Sequence, residues 1–579
     1  MLGPEQFQNN IKQYEPCSME EPFTKEEVLK AAKSLKQNKS CGMDNIKAEM
    51  IKHAPSSVHQ LIADIYNKTA ETGEFPEELI AGILTPLQKP GKTKGPPENL
   101  RPIILLSVLR KILTIILLSR TWDRLKTKIP PNQAAYQGGR STTEQVYAIK
   151  TICEKAITCS DYNFHLLLLD MSKAFDTVLR DKLLERLETV LCHDELHILS
   201  ILTNKPTLRV RVDKNEAEPF QTHLGIMQGD CLSAVLFIFY LAECLSEENN
   251  LTEDLKFERN KNKNHSYNVD PQYADDTTFG GVGEEGRERL EKIEEKIPKQ
   301  LAKYNLQSNE SKKEKYQIPK PPPDPEPPPT WEELEAHKND KPLWSDLDYL
   351  LNFQPPPKID KTPDWKKCKL LGSCLDTTTD IERRKCLTLQ SMKNLETMLL
   401  SKHLSIKMKM RLFNTFLSSI MLYNSELWTL NNKLEKVIDV FQRKILRKIL
   451  KFRWPKKISN EKLYHITKTE PWSITIQRRR MKWTGHLLRL PINTPARLST
   501  IEALKPAKKN RGRPPLTWHK LIESDVKKLG FIETEQREST ESIFYKLENL
   551  AKDRLVYTER LNRCMPRKER LCASAEEQF

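Results

Sequence analysis

One apolar run in the first third of the chain predicts a strand with a charged end. The run Phe164–Leu169 has the length of a strand and, apart from His165, no polar position. Such a run is typical of a strand that is buried on both faces. Asp170 follows at once, and a carboxylate in this place belongs at the rim of the sheet or opposite a cation. The pattern therefore predicts a buried sheet with an acidic group at its edge.

Helical spacing of apolar residues predicts several helices. Thr24 and Glu27 have the spacing of a capping box, and they precede apolar residues at helical intervals: Val28, Ala31, Ala32 and Leu35. Similar spacing predicts helices over further stretches: 103–118 as an amphipathic core helix, 143–159, 177–191 with Asp176 as its N-cap, and much of the chain from Ile381.

The helix expected near residues 434–449 has one apolar face and one basic face. The basic face carries five cations: Arg443, Lys444, Arg447, Lys448 and Lys451. Such a face suits the phosphates of a nucleic-acid duplex, although simple solvation is the ordinary reason for charges on a helix.

Proline clusters interrupt the pattern over residues 316–366. They include the runs 321–323, 327–329 and 355–357. Proline runs favour polyproline II and act as semi-rigid spacers. We therefore expect an insertion here, with one helix over 331–337.

The charge of the chain is uneven. The 579 residues carry a net charge of +16, but residues 401–579 hold 39 basic and 18 acidic side chains, a net of +21. The remaining 400 residues hold 55 basic and 60 acidic side chains, a net of −5. A polyanionic partner is therefore expected at the C-terminal third.

No segment of the chain has the pattern of a signal peptide or a membrane span, because Arg110 and Lys111 interrupt the most apolar long stretch. The 12 cysteines lack the paired spacing of a zinc site, and reduced thiols in an intracellular protein are the simplest interpretation.

Two adjacent aspartates provide the strongest candidate chemistry. In a strand, neighbouring side chains point to opposite faces, so Asp275 and Asp276 can reach one site only from a tight turn with Ala274. Aspartates in turns often only bind backbone amides. If Asp170 meets this turn, however, three carboxylates share one rim and need a divalent cation. Mg²⁺ prefers oxygen ligands, and two such ions about 4 Å apart serve phosphoryl transfer.

Three segments resemble successive palm motifs of reverse transcriptases of the non-LTR (LINE-type) retrotransposons. They lie in the family's order at Asp170–Asp176, Gly225–Ser233 and Tyr273–Asp276. The resemblance implies an α+β right-hand polymerase with fingers, an antiparallel palm sheet and a helical thumb, plus a basic helical C-terminal region. It also implies that Asp170, Asp275 and Asp276 hold two Mg²⁺ ions, with Mn²⁺ as an alternative.

The resemblance also assigns residues to the incoming nucleotide. Arg101 and Lys89 correspond to cations at the triphosphate, although a basic Gly/Pro loop is more often merely solvated. Phe175 corresponds to the aromatic residue that excludes a 2′-hydroxyl, a role compatible with core packing. Gln228 and Gly229 correspond to nucleotide contacts, with alanine at position 234 where the family usually has proline.

Further assignments concern the leaving group and the primer. Lys312 is the candidate to protonate pyrophosphate, with a solvated lysine as the alternative. The segment 367–372 resembles the primer-gripping hairpin, which assigns that role to Lys369, Leu370 and Gly372. The segment 132–142 resembles the finger motif that follows the template.

Basic residues near the C-terminus are candidates for nucleic-acid binding. Arg478, Arg479 and Arg480 stand next to aromatic residues. Arg511 and Arg513 lie in a segment that resembles an AT-hook, whose arginines fit a narrow minor groove, or that is a basic linker.

Four parts are predicted along the chain: an N-terminal extension (1–58), fingers and palm (59–380, with the insertion 316–366), a helical thumb-like region (381–500) and a basic tail (501–579).

The expected function is RNA-directed DNA polymerisation in target-primed retrotransposition. The partners would be an RNA template, a DNA primer and target, and dNTPs, with no membrane. An endonuclease activity is expected from elsewhere, and the protein is expected to work in the nucleus after cytoplasmic assembly on RNA. The alternative is a degenerate or domesticated copy that binds nucleic acid without polymerising.

Overall fold

The computed structural model describes residues 14–246, 268–319 and 364–565, apart from positions 90, 92, 161, 205, 213, 214, 453, 454, 509, 511–514 and 536. The predicted helix at 331–337 and most of the proline-rich insertion lie outside these residues. Within the described part, no helix is both long and apolar enough to cross a membrane.

Helices and strands are combined throughout, as the predicted mixed class requires. The strands, in chain order, are β1 (Gly82–Gln88), β2 (Leu100–Leu106), β3 (Phe164–Leu169), β4 (Thr207–Val212), β5 (Asn215–Glu216), β6 (Phe220–Gln221), β7 (Asn268–Val269), β8 (Gln272–Tyr273), β9 (Asp276–Val282), β10 (Glu314–Ile318), β11 (Lys369–Leu370) and β12 (Ser373–Cys374).

The helices of the first half are α1 (Lys25–Ser34), α2 (Ala48–Lys52), α3 (Ser56–Thr72), α4 (Glu77–Ile80), α5 (Val108–Lys128), α6 (Thr142–Thr158), α7 (Arg180–Leu187), α8 (His193–Thr203), α9 (Cys231–Ser246) and α10 (Gly283–Lys303). Those of the second half are α11 (Thr377–Asn394), α12 (Glu396–Leu399), α13 (Ile406–Leu412), α14 (Asn432–Ile449), α15 (Asn460–Thr467), α16 (Trp472–Arg489), α17 (Pro495–Leu504), α18 (Trp518–Leu529), α19 (Thr540–Ala551) and α20 (Arg554–Cys564).

Strand β3 lies at the centre of the structure. It pairs antiparallel with β9 on one side and with β10 on the other, while β7 and β8 complete the sheet on β9. Leu167 and Leu169 enter one hydrophobic core, and Phe164 and Leu166 enter another. This division explains the apolar run and confirms that the strand is buried on both faces.

A second sheet combines two strands that precede Asp170 in the chain with three that follow it. β1 pairs antiparallel with β2 and parallel with β4, which also holds β5 and β6. The helix expected over 103–118 is therefore wrong at its start, since β2 continues to Leu106. The Ser107 side chain accepts from the backbone N–H groups of Leu109 and Arg110, so α5 begins only after it.

Two of the three large hydrophobic cores hold the sheet that carries β3. The first contains buried residues of α1, α3, α5 and α7–α10, and α1 has the predicted capping box between Thr24 and Glu27. The second joins α6 to the late helices α16 and α18–α20. The observed α6 confirms the helix predicted at 143–159 within one residue at each end.

The helix predicted at 177–191 begins later than expected. Asp176 lies in a 3₁₀ turn, Ala174–Asp176, and α7 starts at Arg180 with Leu179 at its N-cap. Asp176 instead accepts a hydrogen bond from Gln228 Nε2 at 3.1 Å. The Asp176 side chain therefore binds a residue that is distant in sequence and does not cap α7.

The region after residue 376 is helical in its described part, as predicted. Residues of α11, α13, α14, α15 and the start of α16 share the third core. α14 has the expected apolar face, with Ile438, Ile445 and Ile449 buried, while Lys444 and Lys448 are exposed. α17 packs along α6 and brings the C-terminal helices back to the central sheet.

Candidate active site

Asp170 and the aspartate pair lie at the same end of the β3–β9 ladder. The last pair of that ladder is Leu169 with Thr277, and both Asp170 and Asp276 lie one residue beyond it. Tyr273 pairs with Asp276, which leaves Ala274 and Asp275 at the tip of the hairpin. The predicted tight turn is therefore confirmed, with β8 reduced to two residues after Pro271.

The carboxylates act on one another electrostatically. Burial is the main cause that raises the pKa of Asp275, and the Asp170 carboxylate adds to it. Burial also raises the pKa of Asp276 to about 6, with further contributions from Asp275 and Asp170. The Lys312 ammonium opposes both shifts. The rim is thus a place where negative charge accumulates and a cation is favoured.

Lys312 supplies one such cation. Its ammonium forms an ion pair with Asp170 Oδ2, while 63% of the Lys312 side chain is exposed. The lysine stands in a 3₁₀ turn, Glu310–Lys312, immediately before β10. Because it is solvated on a flexible stem, it can leave Asp170 when another cation binds.

The donor set fits a hard divalent cation. Asp170, Asp275 and Asp276 offer only carboxylate oxygens, which Mg²⁺ and Mn²⁺ prefer. The raised pKa of Asp276 indicates that unneutralised negative charge is costly at this rim. These three residues would hold the metal.

A buried glutamine that the sequence did not single out as a functional residue holds the hairpin tip. Gln133 Oε1 accepts from the N–H of Ala274 at 2.9 Å, and its Nε2 donates to the carbonyl of Ala274 at 3.3 Å. Ala274 has a left-handed backbone with φ of +57°. Both amide atoms of Gln133 thus fix an uncommon conformation immediately before Asp275. The expected finger motif at 132–142 contained the residue, but nothing in it indicated this contact.

A buried ion pair supports the same hairpin from the side of β7. Asp270 is fully buried and forms an ion pair with Arg289 of α10. Its Oδ1 also accepts from the N–H of Gly280 at 3.4 Å. Burial raises the pKa of Asp270, and Arg289 opposes that effect. No local pattern indicates this pair, because its partners lie 19 residues apart on different elements.

The predicted nucleotide contacts meet at the edge between the two sheets. Gly229 has φ of +132°, and a Cβ there would lie 2.5 Å from the carbonyl oxygen of Ile104 in β2. The carbonyl of Gln228 accepts from the Ile104 N–H at 3.1 Å. Only glycine therefore fits at position 229. This close approach holds Gln228 and Gly229 against β2, the strand that carries Arg101.

Of the two predicted triphosphate cations, Arg101 lies on β2 and Lys89 lies in the loop between β1 and β2. Arg101 is exposed and pairs across the ladder with Leu87. Lys89 follows β1, and its charge counteracts the effect of burial on the pKa of Asp176. Lys89 therefore faces the turn that contains Phe175.

Phe175 has a defined position. Its ring stacks on Phe237 of α9, with centroids 4.5 Å apart, and remains partly exposed. The predicted core packing and the predicted sugar contact are compatible with this placement, because the buried Phe237 fixes one face and leaves another open.

The expected primer-gripping segment forms a short hairpin. β11 contains Lys369 and Leu370 and pairs with β12, and Gly372 lies in the turn with φ of +80°. The Lys369 side chain is exposed, whereas Leu370 is buried. The turn carbonyl of Gly372 accepts from Arg383 at 2.7 Å and also from Arg384.

The three consecutive arginines of α16 are engaged within the protein. Arg480 is 1% exposed and binds Asp525, so its predicted contact with nucleic acid is wrong. Arg478 forms an ion pair with Glu470, and Arg479 donates to the carbonyl of Leu422 at 2.6 Å. The adjacent aromatic residues are core residues of α16, which sequence alone could not distinguish from a binding surface. Arg511 and Arg513 lie outside the described residues.

A compact group of potential metal ligands lies elsewhere. Oxygen or sulfur atoms of Cys192, Asp194 and Glu195 lie within 4.8 Å of one another. Glu195 accepts from the Cys192 N–H at the start of α8 and forms an ion pair with Arg124. These contacts account for the cluster as a helix cap.

Comparisons with known proteins agree with this geometry. Residues 87–372 match the family model described as reverse transcriptase (RNA-dependent DNA polymerase). A relative in Drosophila melanogaster, the probable RNA-directed DNA polymerase from transposon BS, is 29% identical over 245 residues, which are 41% of this chain and 27% of the relative. The RNA-directed DNA polymerase from mobile element jockey, also of Drosophila melanogaster, is 25% identical over 248 residues, 42% of this chain and 27% of the relative.

The aligned part of the chain spans about a quarter of the length of these relatives. A solved structure of apo telomerase from Candida tropicalis, truncated from its C-terminal domain, has 12% identity and a TM-score of 0.30, covering 46% of this chain and 56% of that one. The family match contains all three rim carboxylates, Gln228–Gly229 and Lys312, in the order that the non-LTR resemblance implied. Over residues 87–372, just under half of the chain, the sequence therefore matches the reverse transcriptase family.

Proposed function

We propose that this protein is an RNA-directed DNA polymerase that works in retrotransposition. The observation that carries the proposal is the convergence of Asp170, Asp275 and Asp276 at one rim, with Lys312 beside them, inside the reverse transcriptase match. Relatives described as polymerases of transposons and mobile elements support the biological setting.

In this proposal, the three aspartates hold two Mg²⁺ ions, or Mn²⁺ as the alternative. When bound, the metal would neutralise the phosphates and favour the ionised primer 3′-hydroxyl. Asp170 and Asp275 would orient the primer end toward the α-phosphate of a dNTP, with Asp276 as a more distant ligand. Lys312, released from Asp170, would donate a proton to the leaving pyrophosphate.

The nucleotide would lie at the edge where β2 meets Gln228 and Gly229. Arg101 and Lys89 would neutralise its triphosphate, and Gly229 would let the backbone approach it. Phe175, fixed against Phe237, would stand beside the sugar and exclude a 2′-hydroxyl by size. The Gln228 amide is already oriented by its hydrogen bond to Asp176.

The right-hand arrangement is part of the proposal. The sheet around β3 would be the palm, the sheet around β1 and β2 would belong to the fingers, and the helices within residues 381–500 would form the thumb. Exposed Lys444 and Lys448 of α14 support contact with a duplex backbone. We propose that the parts of the chain are divided at residues 58, 380 and 500. The helices after residue 500 nevertheless share a core with α6, which lies in the fingers and palm part.

The proposed partners are an RNA template, a DNA primer and target, and dNTPs. Target cleavage would come from an endonuclease activity that the described fold does not account for. Such a reaction takes place at chromosomal DNA, so we propose that the protein works in the nucleus after assembling on its RNA in the cytoplasm.

Primer extension tests the proposal directly. The full chain is incubated with poly(rA)/oligo(dT), dTTP and Mg²⁺, and the extended products are resolved by length. Asp275→Asn removes one carboxylate charge and should lower extension on the order of a thousandfold, because several kcal/mol of transition-state stabilisation are lost.

Binding of the same primer–template, measured by fluorescence anisotropy, should persist in Asp275→Asn. Near wild-type extension by this variant would overturn the assignment of the carboxylates. Tight binding without extension by the wild-type protein would instead support a copy that has lost polymerisation.

A further inference from the structure

The segment Leu422–Thr429, here called the connector, follows the helical residues 413–421 that continue α13 and ends two residues before α14. Asn424, Ser425 and Trp428 in it are 6%, 0% and 1% exposed, respectively. The connector lies outside residues 87–372, which match the reverse transcriptase family. Its polar atoms nevertheless bind elements inside that range.

One side of the connector binds the β11–β12 hairpin. Asn424 Nδ2 donates to Ser373 Oγ at 3.0 Å, and the Tyr423 hydroxyl donates to the carbonyl of Leu371 at 3.0 Å. The Tyr423 ring lies 3.7 Å from the place that a Cβ on Gly372 would occupy. Arg384, which donates to the Gly372 carbonyl, stacks over the same ring at 4.6 Å. Three hydrogen bonds thus hold the two turn residues and the first residue of β12.

The other side of the connector binds the first turn of α6. Asn424 Oδ1 accepts from Thr143 Oγ1 at 2.9 Å, and the Tyr423 hydroxyl lies 3.3 Å from Thr142 Oγ1. Each of the two amide atoms of Asn424 therefore serves a different element. Asn424 has φ of +53°, a left-handed conformation that asparagine tolerates better than most residues.

The first turn of α6 is also connected to the carboxylates. The loop before α6 contains Gln133, which binds both backbone atoms of Ala274 at the hairpin tip. Asn132 in the same loop donates to the carbonyl of Asp270 at 2.8 Å, and Gln145 of α6 donates to the carbonyl of Asn132 at 3.2 Å. A continuous set of buried and partly buried contacts thus leads from the hairpin tip beside Asp275 through α6 to the β11–β12 hairpin.

We propose that Asn424, assisted by Tyr423, is a positioning residue that sets the β11–β12 hairpin, and the primer 3′ end held by it, at a fixed place relative to the metal-binding carboxylates. The inference rests on the proposed polymerase function and on the hairpin as the primer grip. It assigns a role in the reaction to a residue about 50 positions beyond the end of the family match.

The test variant is Asn424→Gly. Glycine adopts a positive φ without strain, so the change removes both side-chain hydrogen bonds and leaves the backbone conformation accessible. Tyr423→Phe is the milder variant, because it keeps the ring beneath Arg384 and removes only the hydroxyl. Asn431→Ala is the matched control, since Asn431 caps α14 through the Leu434 N–H and contacts neither the hairpin nor α6 in the described structure.

The first measurement is single-turnover extension at saturating dNTP, alongside anisotropy for primer–template affinity. We expect Asn424→Gly to lower the extension rate about tenfold and Tyr423→Phe about threefold, while the Kd for primer–template changes less than twofold. Asn431→Ala should extend like the wild type, even if its thermal stability falls.

The second measurement reports the primer end without chemistry. A primer with 2-aminopurine at its 3′ terminus fluoresces more strongly when that base is unstacked. Bound to Asn424→Gly, the probe should be brighter than when bound to the wild type or to Asn431→Ala. A Thr143→Val variant, which removes the donor on the α6 side, should brighten it as well.

Equal extension rates and equal fluorescence for Asn424→Gly and the wild type would overturn the role of Asn424 and leave the polymerase assignment intact. Equal losses in Asn424→Gly and Asn431→Ala would show that general stability is the cause, and would also overturn it. Failure of the wild-type protein to extend any primer would overturn the proposed function itself.

Discussion

Removing the Gln133 side chain should disable the site without unfolding the protein. Gln133 is 1% exposed, and its side chain makes three hydrogen bonds. Two are with the N–H and C=O of Ala274, and the third is with the N–H of Ala135 at 3.0 Å. Gln133→Ala leaves the buried N–H of Ala274 without its partner, which costs about 1–3 kcal/mol. The left-handed conformation of Ala274 costs about 1–2 kcal/mol more than a right-handed one, and both side-chain hydrogen bonds that hold it would be lost.

Relaxation of the tip would displace Asp275, which directly follows Ala274. If about 2 kcal/mol of the lost stabilisation falls on the transition state, the rate drops about 30-fold, since each 1.36 kcal/mol corresponds to about tenfold. We therefore expect Gln133→Ala to lower single-turnover extension about 30-fold at saturating dNTP. Mn²⁺ binding, followed by electron paramagnetic resonance, should weaken in parallel.

Gln300→Ala is the matched control for this experiment. Gln300 is also 1% exposed and donates to the carbonyl of Cys244 at 2.7 Å, but it lies in the packing of α10 against α9. Its loss should lower stability and leave extension and Mn²⁺ binding unchanged. If Gln133→Ala keeps wild-type extension and Mn²⁺ affinity, the clamp on Ala274 does not set the geometry of the carboxylates, and the reasoning is refuted.

Three further predictions concern the side chains of Phe175, Arg289 and His519. His519 is a buried residue of α18. Phe175→Ala should lower the preference for dCTP over rCTP at least about tenfold, because the ring no longer excludes the 2′-hydroxyl; an unchanged ratio of incorporation efficiencies would assign the exclusion to another residue. Arg289→Leu should cost about 3–5 kcal/mol in urea unfolding, because Asp270 stays buried without its counter-charge, and a loss below 1 kcal/mol would contradict this. Burial lowers the pKa of His519 to about 3, so only the unfolded chain takes up its proton between pH 6.5 and 3. Stability should therefore fall as the pH drops below 6.5, and between pH 7 and 5 the wild type should lose about 2 kcal/mol more than His519→Gln; equal losses would show that His519 is not buried and neutral.

The sequence predicted those parts of the site that depend on local pattern. The apolar run before Asp170 required a strand buried on both faces, and the adjacency of Asp275 and Asp276 required a turn. Local rules also placed α6 and the cap of α1. In each case, the residues that determine the structure lie within a few positions of one another.

Local pattern failed where a distant partner decides the structure. Asp176 looked like a helix cap, but Gln228, 52 residues away, binds its carboxylate. Arg480 has the sequence pattern of a nucleic-acid contact, but its guanidinium binds Asp525 of α18. Gln133 gave no signal at all, because its role depends on the left-handed backbone of Ala274, 141 residues further on. Contacts of this range leave no periodic trace in a single sequence.

The two cores on either side of β3 have a practical consequence for the expression of this protein as fragments. Phe164 and Leu166 pack into the core that also contains Trp518, Phe544 and Tyr557. A fragment cut at the end of the family match would remove α16 and α18–α20 from this core and expose the apolar side of α6 to water. The folding unit and the range of the family match are thus different: the core around α6 includes residues as far along the chain as Met565, so a stable recombinant fragment needs to include them.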